Sequence, residues 1–302
     1  MNWTIGIDIG GTVIKAVAAT EDGAVQQRAT LATNARTDTV AVWAEHMRRL
    51  VADFERSAGS SAAGIGVCAP GLASPDARCI KYLPGKLAGL EGFDWTRALG
   101  RSVLVPVIND AHGALLGEAW VGAARGRRHA VLFTLGTGVG GAVMSDGRLL
   151  CGAIGRAGHL GHMSLDIDGQ PSITGTPGAL EVMFGDYTVL QRTGGRFTST
   201  AMLVAAHQNG DAAATRVWLR SVRALACALA STINILDPEI IVLAGGITLA
   251  GDALLQPLRA ELDRIEWRPG GHAVPLVLAT LGEWAGAVGA AHVARQPAPL
   301  LS

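Results

Sequence analysis

Gly6-Ile7-Asp8-Ile9-Gly10-Gly11-Thr12 and, in the second half of the chain, Leu135-Gly136-Thr137-Gly138-Val139-Gly140-Gly141 share one grammar. Each is an apolar strand, a turn through glycine and threonine, and a second apolar strand. Around the first, residues 3–9 alternate apolar with small or polar side chains, residues 13–19 are apolar again, and Glu21-Asp22-Gly23 make the next turn, so the chain opens as an antiparallel meander. Around the second, residues 130–135 and 139–144 are the apolar arms and Ser145-Asp146-Gly147 closes a hairpin. Two such openings in one chain predict a duplicated core.

Between the two hairpins, residues 37–56 carry Val40, Trp43, Met47, Leu50, Val51 and Phe54 at helical spacing. Short apolar runs at 63–68 and 103–108 read as buried strands, the second leading into a helix over 110–120. A long helix is predicted over 211–236 with Asp237-Pro238 as its stop, then a strand at 240–243, a Gly245-Gly246 turn, a helix over 251–262, a strand at 274–279 and a last helix from 285. Strands alternating with helices predict an α/β protein. We divide it into an N-terminal α/β domain, 1–120, joined by the C-terminal helix 285–296, and a second α/β domain, 121–284. Residues 152–195, rich in Gly, Thr and Pro and without period, read as loops that carry a site.

Composition removes several classes. Of 302 residues 49% are apolar and 17% charged, with 25 Lys plus Arg balancing 25 Asp plus Glu, which fits neither a disordered chain nor a polyelectrolyte binder. Nucleic acid is not expected as a partner, because that affinity comes from clustered basic residues. The most apolar run, 226–236, falls short of a membrane span and the N-terminus has no basic leader, so a cytoplasmic protein is expected. Cys68, Cys79, Cys151 and Cys227 are scattered and make neither a disulfide framework nor a zinc ribbon.

The glycine turns suit phosphates. Glycine lets backbone N–H groups approach phosphate oxygens, Thr12 can donate a hydrogen bond, and Asp8 can hold Mg²⁺ or its water shell; Lys15 follows on the next strand. Gly136-Thr137-Gly138 repeats the pattern, and Gly245-Gly246 after a strand can pass backbone beneath a nucleotide. The Walker pattern is absent, and Gly136-Thr137-Gly138 leads into a strand rather than a helix, which disfavours a dinucleotide enzyme. Asp110, in Val107-Ile108-Asn109-Asp110, ends a strand and starts a helix. It reads either as a helix N-cap or as a general base that takes a proton from an alcohol.

Together these residues resemble the ROK family (repressor, open reading frame, kinase). The resemblance rests on G-I-D-I-G-G-T at 6–12, A-P-G at 69–71, N-D-A at 109–111, L-G-T-G-V-G-G at 135–141, G-x-A-G-x-L-G-H at 155–162, G-x-L-E at 178–181 and A-G-G at 244–246. It implies an actin-like ATPase (ribonuclease H-like) fold, two β-rich α/β domains with an interdomain cleft. It implies an ATP- and Mg²⁺-dependent hexose kinase acting on the 6-hydroxyl of glucose or a relative, with Asp110 as base. Asn109, His162 and Glu181 would contact sugar, with Gly71 beside it. Gly10, Gly11 and Thr12 with Gly136, Thr137 and Gly138 would meet phosphates, and Gly245 and Gly246 the adenosine. Homodimers or homotetramers are common in the family.

Two positions depart from the family pattern. Where its zinc motif has three cysteines, this chain has Ser172, Thr174 and Ala179, so no structural zinc is expected. His159 stands where the family usually has a glutamate near the anomeric end of the sugar, and it is expected to tune sugar choice. The rival readings are an N-acylhexosamine kinase of the same family, an impaired sugar-binding sensor or regulator, and polyphosphate in place of ATP as donor.

Overall fold

The computed structural model describes residues 2–34, 37–85 and 87–295. The chain forms two compact units: residues 2–130 with 142–158 and 279–295, and residues 131–141 with 159–278. Residues 121–130, 142–158 and 279–284, placed in the second domain from sequence, thus group with the first unit.

In the first unit the opening meander is β1 (Trp3–Ile9), β2 (Val13–Thr20) and β3 (Val25–Ala32). Helix α1 (Val40–Ala58) follows, with Thr39 extended at its N-cap and Gly59 left-handed at its C-cap. Its Trp43, Met47, Leu50 and Phe54 are buried in one core with Ile5, Ile7 and Ile9 of β1. Next come β4 (Gly64–Ala69), the short pair β5 (Leu72–Ala73) and β6 (Ile80–Tyr82), α2 (Trp95–Ala98), β7 (Val107–Asn109) and α3 (Asp110–Val121). The strand expected over 103–108 shrinks to β7 because Pro106 cannot donate to a ladder and Val103 is exposed.

The first sheet has the order β3-β2-β1-β4-β7, antiparallel among β1, β2 and β3 and parallel from β1 through β4 to β7. The second sheet repeats that order of chain positions. It consists of β8 (Ala130–Leu135), β9 (Val139–Ser145), β10 (Arg148–Leu149), β11 (Ile240–Ala244) and β12 (Leu276–Leu278), arranged β10-β9-β8-β11-β12. Two five-stranded sheets of one topology are the duplicated core of an actin-like ATPase fold, as the paired hairpins predict.

In the second unit the loop-rich middle contains the short helices α4 (Leu180–Phe184) and α5 (Val189–Arg192). Helix α6 (Thr200–Gln208), which sequence reading missed, precedes α7 (Ala212–Leu236), capped by Asp211, and α8 (Asp252–Ile265). Pro257 lies inside α8 and removes the N–H that would bond Ala253 O; Trp218 Nε1 of α7 donates to that carbonyl instead, at 2.8 Å. Helix α7 is long and apolar enough to cross a membrane by length and composition, and half of its most apolar stretch is buried within the protein.

Helix α9 (Ala285–Val293) returns to the first unit; position 296, expected as its end, lies outside the described residues. It lies against the first sheet so closely that a Cβ on Gly6 would meet Ala287 O at 1.8 Å, and one on Gly66 would meet Ala290 O at 2.0 Å. Its seam with α3 is equally tight, a Cβ on Gly289 falling 1.8 Å from Gly113 O.

Candidate active site

The first glycine turn is set by the core beneath it. Gly10 N donates to Val13 O at 3.0 Å, and a Cβ on Gly10 would sit 2.8 Å from that oxygen. Thr33, fully buried, donates its hydroxyl to Gly10 O at 2.7 Å and its N–H to Thr12 O at 2.9 Å. Its own carbonyl accepts from Trp43 Nε1 of α1 at 2.6 Å. Gly11 and Thr12 are left exposed at the tip.

Behind the turn lies an acidic pair. Asp8 Oδ1 accepts from the buried Cys68 thiol at 3.3 Å, and α9 approaches so closely that a Cβ on Gly286 would lie 2.7 Å from Asp8 Oδ2. Burial first, and the Asp110 charge second, raise the Asp8 carboxyl from 3.8 to about 6, against the opposing effects of the Cys68 hydrogen bond and Lys15. Burial and the two carboxylates push the Cys68 thiol up as well. Lys15 Nζ itself pairs with Glu283 Oε2 at 3.0 Å.

A native carboxyl raised above its unfolded value stabilises the fold below pH ~4 and loses that contribution as pH climbs to about 6. At about 1.4 kcal/mol per pH unit the cost of holding Asp8 charged above pH 6 reaches roughly 3 kcal/mol. Asp8→Asn is therefore expected to unfold at a higher temperature than wild type at pH 7.5, with the gap closing toward pH 4.5. Thermal unfolding at both values checks this, and a gap that does not change with pH would refute it.

Asn109, not Asp110, caps α3. Asn109 Oδ1 accepts from Ala111 N at 2.9 Å and His112 N at 3.3 Å, while Nδ2 donates to Gly71 O at 3.0 Å. Gly71 is left-handed (φ +103°), and a Cβ there would strike Tyr82 O at 2.7 Å. The N-cap reading of Asp110 is thereby corrected: it is the first helical residue, exposed, with Oδ1 accepting from Ala111 N at 2.9 Å. Its carboxylate sits at the positive end of the α3 dipole.

In the second unit the Gly136–Gly138 turn rests on the segment after α4. Asp186 N donates to Gly136 O and Tyr187 N to Thr137 O, both at 3.0 Å, and Thr137 is exposed. Gly245 is left-handed (φ +95°), and a Cβ on it would lie 2.4 Å from Leu135 O, so the chain crosses the hairpin there only as glycine. A cavity of about 460 Å³ opens beside these turns, lined by Gly136, Thr137 and Gly246 with Val204 of α6, Ile247 and Leu249. An apolar wall ending in glycine turns suits a flat heteroaromatic ring followed by phosphates. The α6 wall was invisible to sequence reasoning, since residues 200–208 show no one-sided apolar stripe.

The sugar-site candidates of this unit also gather. His162 Nδ1 is 3.5 Å from Oε1 of the buried Glu181, and the His159 and His162 rings are parallel with centroids 6.4 Å apart. Burial lowers the His162 pKa. A Cβ on Gly138 would lie 3.0 Å from Glu181 Oε2, which brings the second glycine turn against the same carboxylate. At the zinc-motif positions, Ser172 Oγ and Thr174 Oγ1 are 2.9 Å apart, Thr174 Oγ1 is 3.3 Å from Thr176 Oγ1 and 3.4 Å from His162 Nδ1, and Ala179 has no donor. One imidazole and neutral hydroxyls do not fit zinc, which takes about four N, S or carboxylate ligands.

Comparison with known proteins fits this geometry. The sequence model of the ROK family matches residues 4–297. The glucokinase of Thermotoga maritima is 31% identical over 97% of this chain and 97% of its own. The ROK hexokinase of Thermus thermophilus superposes with a TM-score of 0.85 at 30% identity, covering 98% of both chains. A ROK glucokinase of Streptomyces griseus, solved with glucose and AMPPNP, superposes with a TM-score of 0.77 at 26% identity, over 98% of this chain and 100% of that one.

Proposed function

This chain belongs to the ROK family, and from that premise we propose that it is an ATP-dependent hexose kinase that phosphorylates the 6-hydroxyl of glucose or a related hexose. The observation that carries the reading is Asp110: an exposed carboxylate at the first position of α3, beside the Asn109 cap, whose charge acts on the half-buried Asp8. Asp110 accepts the hydroxyl proton as the sugar oxygen forms its bond to the γ-phosphorus. The bond to the ADP oxygen breaks, and ADP leaves with that electron pair.

The remaining residues position and neutralise. Gly10, Gly11 and Thr12 present backbone N–H groups and a hydroxyl suited to phosphate oxygens, and Gly136, Thr137 and Gly138 repeat that chemistry. The cavity beside Gly246 takes the adenosine. Asp8 would hold Mg²⁺ directly or through water: a cation relieves a carboxylate whose proton affinity burial and a like charge have raised. Mg²⁺, when bound, neutralises the charge of the transferring phosphoryl group. Asn109, with one Nδ2 hydrogen beyond its Gly71 bond, offers a donor to sugar hydroxyls, Glu181 and His162 suit the same partners, and His159 sets the choice at the C1 and C2 substituents. The hydroxyls of Ser172, Thr174 and Thr176 hold the loop without zinc.

The test is ADP release from MgATP across hexoses, hexosamines and N-acylhexosamines, with and without a zinc-selective chelator, for wild type and His159→Glu. Selective turnover, indifference to the chelator and a changed sugar ranking in the variant are expected. Folded protein that binds ATP yet turns over no sugar would overturn the kinase reading in favour of a sugar-binding sensor. Loss of activity on chelation would restore the zinc, and an unchanged ranking would remove His159 from specificity.

A further inference from the structure

A second cavity of about 460 Å³ lies within the second unit and has no part in the reaction described above. Three arginines line it. Arg216 and Arg220 are exposed on α7 one turn apart, where like charges oppose each other. Among the described residues neither makes an ion pair or a hydrogen bond. Arg192 of α5 reaches it from a half-buried position, bonded only to neutral acceptors: Nε to Thr188 Oγ1 at 2.9 Å, Nη1 to Ser221 Oγ at 2.5 Å, and Nη2 to Gly185 O at 2.9 Å and Phe184 O at 3.4 Å. Burial draws its guanidinium from 12.5 down to about 10, against the opposing effect of the nearby Asp186 charge, to which it is not bonded. Three guanidinium groups line one cavity, and no carboxylate bonds to any of them, which suits an anionic group. Asp166, Asp168 and Gln170, on the turn that leads to Gly178, line the same cavity and offer the acceptors that sugar hydroxyls take.

We propose that this cavity binds a phosphorylated hexose as a regulatory ligand, its phosphate on Arg192, Arg216 and Arg220 and its hydroxyls on Asp166, Asp168 and Gln170. The identity of the ligand rests on the hexose-kinase reading, since that reaction forms such a compound. The fold supplies a route for its effect. Helix α4 is a shared wall: Val182 and Met183 face the cavity, while the neighbouring Glu181 holds its carboxylate 3.5 Å from His162 Nδ1. The turn that carries Asp166 is tied to the same helix, Leu165 N donating to Gly178 O at 2.9 Å and Leu180 N to Met163 O at 2.9 Å. Occupancy therefore bears on the position of Glu181, and the product would restrain its own formation from a place other than the catalytic centre.

Calorimetry of the full chain with glucose 6-phosphate, in saturating glucose and AMPPNP to fill the catalytic centre, tests this. Wild type is expected to bind one equivalent, and Arg216→Ala/Arg220→Ala to bind at least about tenfold more weakly. In turnover assays glucose 6-phosphate should inhibit wild type without competing with glucose, and the double variant should escape that inhibition with kcat and KM for glucose unchanged. Equal binding by wild type and the double variant, or none by either, overturns the site. Inorganic phosphate binding as tightly as glucose 6-phosphate, or unchanged binding in Gln170→Ala, overturns the sugar half. Binding that the arginine substitutions abolish in a protein that phosphorylates no hexose upholds the cavity and overturns the kinase reading alone.

Discussion

Asp110→Asn is expected to lower kcat by about 10²- to 10⁴-fold, the range a positioned general base contributes, while glucose binding measured by calorimetry changes by less than about threefold. The substitution is conservative in structure. An asparagine Oδ1 can keep the hydrogen bond from Ala111 N, and the cap of α3 belongs to Asn109, whose bonds to Ala111, His112 and Gly71 are untouched. What disappears is the proton acceptor and one negative charge. The charge has its own signature, because Asp110 is one of the two causes that raise the Asp8 carboxyl toward 6. Without it Asp8 ionises at lower pH, so the residual activity of the variant should persist further into acid than that of wild type. A kcat within about threefold of wild type would remove Asp110 from the chemistry. A collapse of glucose binding in step with kcat would make it a sugar contact instead.

The hairpins that decided the fold were legible because glycine turns flanked by apolar strands are local signals, and both recur in the structure at the expected residues. Local signals also misled. Asp110 and Asn109 are adjacent polar residues at one strand end, and sequence alone could not say which would turn inward to cap the helix. The buried position of Asn109 and its bond to Gly71 O decided it. The strand expected from 103 ignored what Pro106 does to a ladder. Helix α8 runs through Pro257 because a tryptophan of another helix takes the freed carbonyl, a compensation no window of sequence contains. The arginine cavity was unreadable for the same reason: Arg192, Arg216 and Arg220 converge only after the chain has folded α5 against α7.

Glu118 is the residue whose importance sequence hid most fully, and Glu118→Ala is expected to cost about 3–5 kcal/mol of stability. It sits on α3 in an apolar stretch, wholly buried, where a carboxylate is tolerated only if every lone pair is used. Oε1 accepts from Thr280 N at 2.9 Å and Leu281 N at 2.8 Å; Oε2 accepts from Ala123 N at 2.7 Å and from Thr280 Oγ1 at 3.1 Å. These partners lie up to 163 positions away, beyond any local pattern. Residues 280–281 lead directly into Glu283, which holds Lys15, and into Gly286, which lies against Asp8. Removing the carboxylate strands three backbone donors and loosens the start of α9 on the acidic pair. Glu118→Gln, which keeps one acceptor oxygen, should lose less, about 1–3 kcal/mol. Chemical denaturation gives the magnitudes, and hydrogen exchange of residues 280–293 should quicken in Glu118→Ala before that of α1. An alanine variant within about 1 kcal/mol of wild type would show that water replaces the carboxylate at those donors, and that α9 is held by its close packing on α3 and the first sheet.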